Sequence, residues 1–387
     1  MVSALRLFLS RGAGRKLCAP AYLLSLCAFM TFAWSPARAE VTLTDADGRQ
    51  VVLDAPAKRV ALGEADLILS LMLLTDDPVA PIAAWGSPER LDPGIRRALE
   101  QRFPAINAIP VAGSASPVEF NIESVIATDP DLYVIRVFDP AWERVRAQLD
   151  QSGIPVIFLD SPALDQMAPD QRVAFSLSLL GKAIGKDDRA KAYETFISEH
   201  YARARSLVDQ RPDRPKVLLD GNATRDCCWV PGKQNRLRGL VSFAGGEIVG
   251  SDLVPGYAGK ISQEYIMAAD PQVLIATGGQ HLADAHGLVL GVGTDVAAAQ
   301  ASLDQLLATG IRPELDAVRD GRAHGIQHLL TISPLEVLAM EAFVGWIHPE
   351  LADRINPNAT LRELNDRFLP VPLSGALWVD QTPPAAH

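Results

Sequence analysis

The stretch NIESVIATDPDLYVI, residues 121–135, returns 141 residues later as SQEYIMAADPQVLIA, residues 262–276. Glu123 falls on Glu264, Asp129 on Asp270 and Pro130 on Pro271. In each copy a capping residue, Asn121 or Ser262, stands two places before the glutamate, so the carboxylate lies in the first turn of a helix. Asp-Pro then ends the helix, because the residue before proline avoids αR geometry. An apolar run follows and enters a sheet. One helix–Asp-Pro–strand unit used twice implies two α/β halves of the same topology. Such halves present one helix N-terminus each on the same face. Singly, each glutamate complements a helix dipole, for about 0.3–1 kcal/mol. As a pair at fixed separation, two solvated carboxylates suit a two-fold partner with basic pockets.

The flanking sequence extends this pattern. VTLTDADGRQVVLD (41–54) reads as a hairpin around Asp47-Gly48. KRVALG (58–63) reads as a buried strand, EADLILSLMLL (64–74) as a helix and PVAPIAAWG (78–86) as a strand and loop. WERVRAQLDQSG (142–153) and IPVIFLD (154–160) give a further helix and strand. RPKVLLDG (214–221) restarts the alternation, and RLRGLVSFAGG (236–246) is a helix closed by glycine. SLDQLLATGIRPELDAV (302–318) reads as helix, RAHGIQHLL (322–330) as strand, and SPLEVLAMEAFVGWIHPEL (333–351) as a helix capped by Ser333. Strands alternating with helices predict βαβ units and a mainly parallel sheet in each half. Between the halves, the strand signals stop and a helical period runs on with a break at Gly185. That segment reads as one long helix or two end to end. The expected fold is therefore two doubly wound α/β lobes joined by a long helical connector, with a ligand cleft between the lobes. The expected boundaries are 40–168 for the N-terminal lobe, 169–210 for the connector, 211–351 for the C-terminal lobe and 352–387 for an extension with an irregular, Pro-rich end.

Residues 1–39 read as a secretory signal. Arg6, Arg11, Arg15 and Lys16 form a basic start, an apolar stretch follows, and Ala37 and Ala39 make an A-x-A cleavage site. A membrane anchor is the weaker reading, since Pro20 interrupts the apolar run, and a lipid attachment at Cys27 meets the bulky Leu26. The whole chain carries a formal charge of −10, and loss of a leader holding five basic and no acidic residues makes the remainder more acidic still. An acidic surface argues against nucleic acid, whose phosphates need clustered Lys and Arg. Of the four cysteines, Cys18 and Cys27 lie in the leader and Cys227 and Cys228 are adjacent. That spacing is no metal finger; it allows either a vicinal disulfide or two free thiols.

In sequence order, KRVALG–EADLILSLMLL, NIESVIATDPDLYVI, SLLGKAIGKDDRAKAYETF, LVSFAGGEIVG, ISQEYIMAADPQVLIATGG and AMEAFVGWIHPEL make the chain resemble periplasmic substrate-binding proteins of ABC importers for iron complexes and cobalamin. The resemblance covers about residues 41–350. It implies two lobes, a joining helix, a periplasmic location, and a monomer that docks on the permease dimer of the inner membrane. It assigns the docking carboxylates to Glu123 and Glu264. The chain departs from the family at Glu64-Ala65-Asp66, where relatives carry a small hydroxyl-rich turn facing the cleft.

Ligands of doubly wound sheets bind outside the carboxyl ends of the strands. Those ends carry Trp85, Arg136, Phe138, Arg225, Trp229, Tyr257, His281 and His328. Arg136 interrupts an apolar strand end, where a charge needs a use. It suits the anionic donors of a ferric siderophore, or it pairs with a carboxylate such as Asp139. Trp85 and Trp229 either stack on a ligand or pack at the edge of a core. The histidines form no tight metal motif, so an intact chelate is expected rather than a bare metal, and no cofactor. Haem, with Tyr257 or His281 as axial donor, and cobalamin are the alternatives. An exported α/β enzyme is the rival class, but no G-x-S-x-G elbow or P-loop occurs.

Overall fold

The two copies of the repeated unit share their backbone geometry. Asp129 and Asp270 both take a left-handed conformation, at φ 46° and 51°, immediately before their prolines. A short polar side chain tolerates that conformation, so each helix ends in a tight reversal into its strand. The computed structural model describes residues 40–136 and 139–382. The leader expected over 1–39 lies outside them.

The N-terminal lobe opens with the hairpin β1 (Val41–Thr44) and β2 (Gln50–Leu53). Then come β3 (Val60–Leu62), α1 (Ile68–Leu74), β4 (Ile82–Trp85), α2 (Pro93–Arg102), α3 (Ile122–Ile126), β5 (Leu132–Ile135), α4 (Trp142–Gln151) and β6 (Val156–Phe158). Its sheet is parallel, in the order β4-β3-β5-β6. The connector comprises α5 (Pro169–Ala183) and α6 (Asp187–Val208). The C-terminal lobe contains β7 (Lys216–Asp220), β8 (Trp229–Pro231), α7 (Leu237–Phe243), β9 (Glu247–Ile248), β10 (Ala258–Lys260), α8 (Gln263–Ala269) and β11 (Val273–Gly278). It continues with β12 (Gly291–Val292), α9 (Val296–Leu307), α10 (Asp316–Arg319), β13 (Ala323–Gln327), α11 (His328–Ile332), α12 (Glu336–Ile347), α13 (Pro357–Arg367), β14 (Gly375–Ala376) and β15 (Trp378–Asp380). Its sheet runs β9-β7-β11-β13-β15, parallel except for the last strand. In each of these two sheets the strand that comes first in the chain, β3 or β7, lies between the second and the third. The repeated units supply the third strand of each sheet, β5 and β11, and these central strands are buried along their length, as doubly covered parallel strands require.

The connector differs from the expected long or end-to-end helix. α5 ends in paired bonds from Lys186 N–H to the Gly181 carbonyl (2.7 Å) and from Gly185 N–H to Lys182 (3.3 Å), with Gly185 left-handed at φ 68°. This is the glycine-terminated reversal common at helix ends, and it folds α6 back beside α5. A Cβ placed on Gly181 would lie 2.8 Å from that of Ala190. A hydrophobic period cannot separate a hairpin from a continuous rod, because both bury the same stripe. α6, about 33 Å long at 1.5 Å per residue, buries Tyr193, Ile197, Tyr201, Ala204 and Val208 at three- and four-residue spacing. It packs on α12, where the Tyr201 hydroxyl donates to Glu336 at 3.0 Å. One continuous core runs from Val60 and Leu62 through α6 and α12 to Val217 and Ile275. Arg189 ties the ends together, donating to the Leu73 carbonyl at 3.0 Å and to Phe368 at 2.7 Å.

Three local readings shift. The strand expected over 322–330 stops at Gln327, and His328 opens α11. The helix expected over 302–318 breaks at the left-handed Gly310. The segment 352–387 contributes α13 and the edge strand β15, which pairs antiparallel with β13. Because α5 and α6 meet through Gly181, Gly181→Val should lower unfolding stability by about 1–3 kcal/mol. Urea unfolding followed by circular dichroism would check this, and an unchanged midpoint would contradict the close helix contact.

Candidate functional site

In an open sheet of this order, the crevice forms where the winding reverses, between the first and third strands. In the N-terminal lobe that places the loops after β3 and β5 side by side, with Glu64, Asp66 and Arg136 on them. In the C-terminal lobe it places the loops after β7 and β11 together, bringing Asn222 and His281. The lobes touch around the crevice. Arg97 on α2 donates to Gln280 at 2.5 Å, Arg136 reaches the Ile332 carbonyl at 3.5 Å, and Arg236 pairs with Asp160. Gly94 lies so close to the Val292 carbonyl that no Cβ fits there.

Between the lobes is a cavity of about 270 Å³. Asp66, Glu89, Arg90, Asp92, His281 and His328 supply its ionisable lining, and Asn222 and Gln327 its amides. Arg136 is tied to Asp66 and lies 3.7 Å from Glu64, which also takes a 2.8 Å bond from Arg90. Burial opposes the charge on Arg136, but Asp66 and Glu64 outweigh it and push its pKa further up. Glu64 is raised, chiefly by burial, against the pull of Arg136. The partners of Arg136 are therefore Asp66 and Glu64. Asp139, the partner considered from sequence, instead accepts from Ala141 N–H at 2.8 Å.

Across the cavity, His328 Nδ1 meets the Thr277 hydroxyl at 3.0 Å and His281 Nε2 meets Asn222 Oδ1 at 3.1 Å. Burial, then His281 and Arg136, lower His328 to about 4. Burial also lowers His281, with Asp92 opposing. Both imidazoles are thus neutral near pH 7. Asp92 caps α2, accepting from Gly94 and Ile95 through Oδ1.

The remaining expected residues fall on three different surfaces. Trp229 and Tyr257 lie on or beside the β8–β10 ribbon at the cleft's C-terminal side, 44% and 56% exposed. Tyr257 is close enough to act on the charges of Arg136 and Arg236. Arg225 is exposed on the loop before the cysteines. Trp85 is 1% exposed, with the Arg96 guanidinium 5.5 Å from its ring. It packs the N-terminal core and offers no face to a ligand, which corrects the stacking role considered for it. Phe138 lies outside the described residues. Cys227 and Cys228 are joined as a vicinal disulfide. Beneath them the inaccessible Asp220 and Arg312 pair at 2.6 Å. Asp220 accepts from Trp229 N–H and Arg312 donates to the Thr224 carbonyl, so this pair pins both ends of the cystine loop.

Glu123 and Glu264 occupy the first turns of α3 and α8, capped by Asn121 and Ser262. Both are exposed, with no ion pair among the described residues. A helix leading into a parallel strand runs antiparallel to it. Its N-terminus therefore lies at the sheet's carboxyl edge, the edge that carries the crevice. Three residues on in each helix stands an exposed apolar side chain, Ile126 at 41% and Met267 at 44%.

Two matched lobes, a crevice at facing switch points and a shared core define a solute-binding protein. The periplasmic binding protein family matches residues 69–324, and the chain belongs to that family, which serves ABC importers. Solved structures of the same fold include a TroA-like periplasmic binding protein, FepB, from Veillonella parvula. It is 23% identical with TM-score 0.78, covering 88% of this chain and 100% of that one. A periplasmic haem-binding protein from Pseudomonas aeruginosa is 19% identical with TM-score 0.53, covering 85% and 100%. An Fe3+-hydroxamate transport protein from Saccharomonospora viridis is 20% identical with TM-score 0.53, covering 80% and 99%. No described helix is long and apolar enough to cross a membrane.

Sequence reasoning missed Asp92, Asn222 and Gln327. The first had a signal: Asp-Pro-Gly at 92–94 sets a capping residue before a proline at the first helical position. The histidines give a pH test. With the folded pKa of His328 near 4 and the unfolded value near 6.5, the unfolded chain binds the proton first. Stability should therefore fall as pH drops from about 6.5 towards about 4. His328→Gln should flatten that slope in urea midpoints taken at intervals across the window; an unchanged slope would contradict the buried neutral imidazole.

Proposed function

We propose that this chain is the solute-binding component of an ABC importer that captures an iron chelate, a ferric siderophore, and delivers it to a permease dimer in the inner membrane. It does so as an exported periplasmic monomer from which residues 1–39 are removed. The carrying observation is the polar cavity between two lobes that each present a free glutamate beside its mouth. On its lining Asp66 and Arg90 are ion-paired with Arg136 and Glu64 behind them, Glu89 and Asp92 have no ion pair among the described residues, and the imidazoles are neutral, which leaves polar groups available to a solute. At about 270 Å³ it is just below the usual size of ligand clefts, about 300–1,000 Å³. A siderophore therefore requires the lobes to part slightly, breaking the Arg97–Gln280 and Arg236–Asp160 contacts. The shared core through α6 limits that motion to small rotations. Haem is the second reading, favoured by His281 on the wall and Tyr257 at the rim; cobalamin is the third, for the same fold.

Trp229, exposed beside the cleft, should report binding. Ferric siderophores, haem, cobalamin, and free iron and zinc salts titrated into residues 40–387 should give saturable fluorescence quenching with one intact chelate. Quenching by free metal alone would point to a metal-binding protein instead.

Docking divides into two separable parts. Glu123→Ala with Glu264→Ala should weaken binding to the cognate permease in nanodiscs about tenfold at low salt, from two exposed charge pairs. That loss should shrink as salt is raised. Ile126→Ser with Met267→Ser should weaken docking at every salt concentration, since burial of apolar area is not screened. Chelate affinity should persist in both variants; joint loss of docking and chelate binding would overturn the assignment.

A further inference from the structure

We infer that the cleft selects a chelate of zero or positive net charge that presents N–H or ammonium donors, with Asp92, Glu89 and Asp66 as the discriminating groups. The inference rests on the chelate reading above. It starts from Arg136, the residue whose position at a strand end suggested an anion contact. Arg136 is committed to Asp66 and Glu64, and Arg90 to the same Glu64. Glu89 and Asp92 then remain on the cavity wall without an ion-pair partner among the described residues. No imidazole charge offsets them, because His281 and His328 are held neutral. The nearby Arg236 is occupied by Asp160, and Lys260 on the ribbon by Asp226 at 3.5 Å. On the cavity lining and directly behind it, Asp66, Glu64, Glu89 and Asp92 thus outnumber Arg136 and Arg90, while Arg97 at the lobe contact is held by the neutral amide of Gln280.

A second observation is independent of charge. Asp66, Asp92 and Gln327 are 3%, 4% and 1% exposed and all line the cavity. Each keeps a polar atom with no hydrogen-bond partner: Asp66 Oδ1, Asp92 Oδ2, and both amide atoms of Gln327. Buried polar groups in folded proteins are satisfied with few exceptions. These three residues, Asp66 and Asp92 from the N-terminal lobe and Gln327 from the C-terminal lobe, mark where a ligand's own polar groups complete the bonding, and the two aspartates can only accept. A polyanion such as a tris-catecholate would bring more acceptors to acceptors and negative charge to negative charge. A hydroxamate-type ferric complex with amide and amine arms brings what the wall lacks.

The test uses three ferric complexes: a linear trihydroxamate carrying a free amine, its N-acetylated neutral form, and a tris-catecholate. They are titrated into residues 40–387 and into Asp92→Asn and Glu89→Gln. Asparagine caps helices as well as aspartate does, so Asp92→Asn keeps the α2 cap and removes only the charge; thermal unfolding confirms that the fold is retained. The amine-bearing complex should bind most tightly and the tris-catecholate least. Asp92→Asn should weaken the amine-bearing complex about tenfold, one carboxylate's share, and move the neutral form far less. Tightest binding of the tris-catecholate, or an unchanged amine-to-neutral ratio in both variants, overturns the charge assignment and leaves the chelate reading standing. Binding of haem or cobalamin with no response to any ferric chelate removes both.

Discussion

Arg136 ends β5 with its side chain 15% exposed, and a guanidinium so placed is tolerable only with its charge met nearby. Asp66 and Glu64 meet it from the loop after β3. That pairing fixes the geometry of the N-terminal switch point, since β3 and β5 are neighbours in the sheet and their following loops must converge. It also decides what the crevice can hold. With a hydroxyl-rich turn in place of Glu64-Ala65-Asp66, the guanidinium would face an incoming anion. With two carboxylates there, its field is spent inside the protein, and the excess negative charge at Asp92 and Glu89 governs the cavity.

The opposing wall depends on a different constraint. α6 and α12 are packed between the two sheets, so one apolar core serves both lobes. A hinge of exposed linker would let the lobes swing freely. A shared core makes every opening motion expose apolar surface, which keeps the two switch points opposed and the cavity small. The interlobe polar contacts, Arg97–Gln280 and Arg236–Asp160, are then the part that must change when the lobes part.

The duplicated unit was legible because its signals are local: a cap, a first-turn acid, an Asp-Pro stop and an apolar run. The same locality explains the failures. The α5–α6 hairpin and a single rod bury the same stripe, and only the left-handed Gly185 separates them. Asp139 was the near neighbour of Arg136 in sequence, but Asp66 and Glu64, some seventy positions earlier, are its neighbours in space, as strand pairing across a crossover dictates. Trp85 sits at a strand end, as expected, yet Arg96 on α2 closes over it, and α2 itself has too few apolar positions to announce a helix. Asp92 announced itself in sequence only as a helix cap and Gln327 not at all; it is the packing of the two lobes around one cavity that makes them site residues.

Duplication explains why the molecule is symmetric at one surface and asymmetric at another. The helices α3 and α8 keep the cap, the glutamate, the buried residue two places on (Val125 or Ile266), the exposed apolar residue and the left-handed aspartate. Under the proposed docking on a two-fold permease, both copies meet the same constraint, and their geometry is matched. The crevice meets a single ligand that has no two-fold axis to impose, and its walls have become chemically unlike. The N-terminal wall is charged and mostly accepts hydrogen bonds. The C-terminal wall is built of neutral imidazole and amide groups on loops pinned by the buried Asp220–Arg312 pair. One fold thus carries two helix N-termini that match closely and, between its lobes, a cleft whose two walls differ in chemistry.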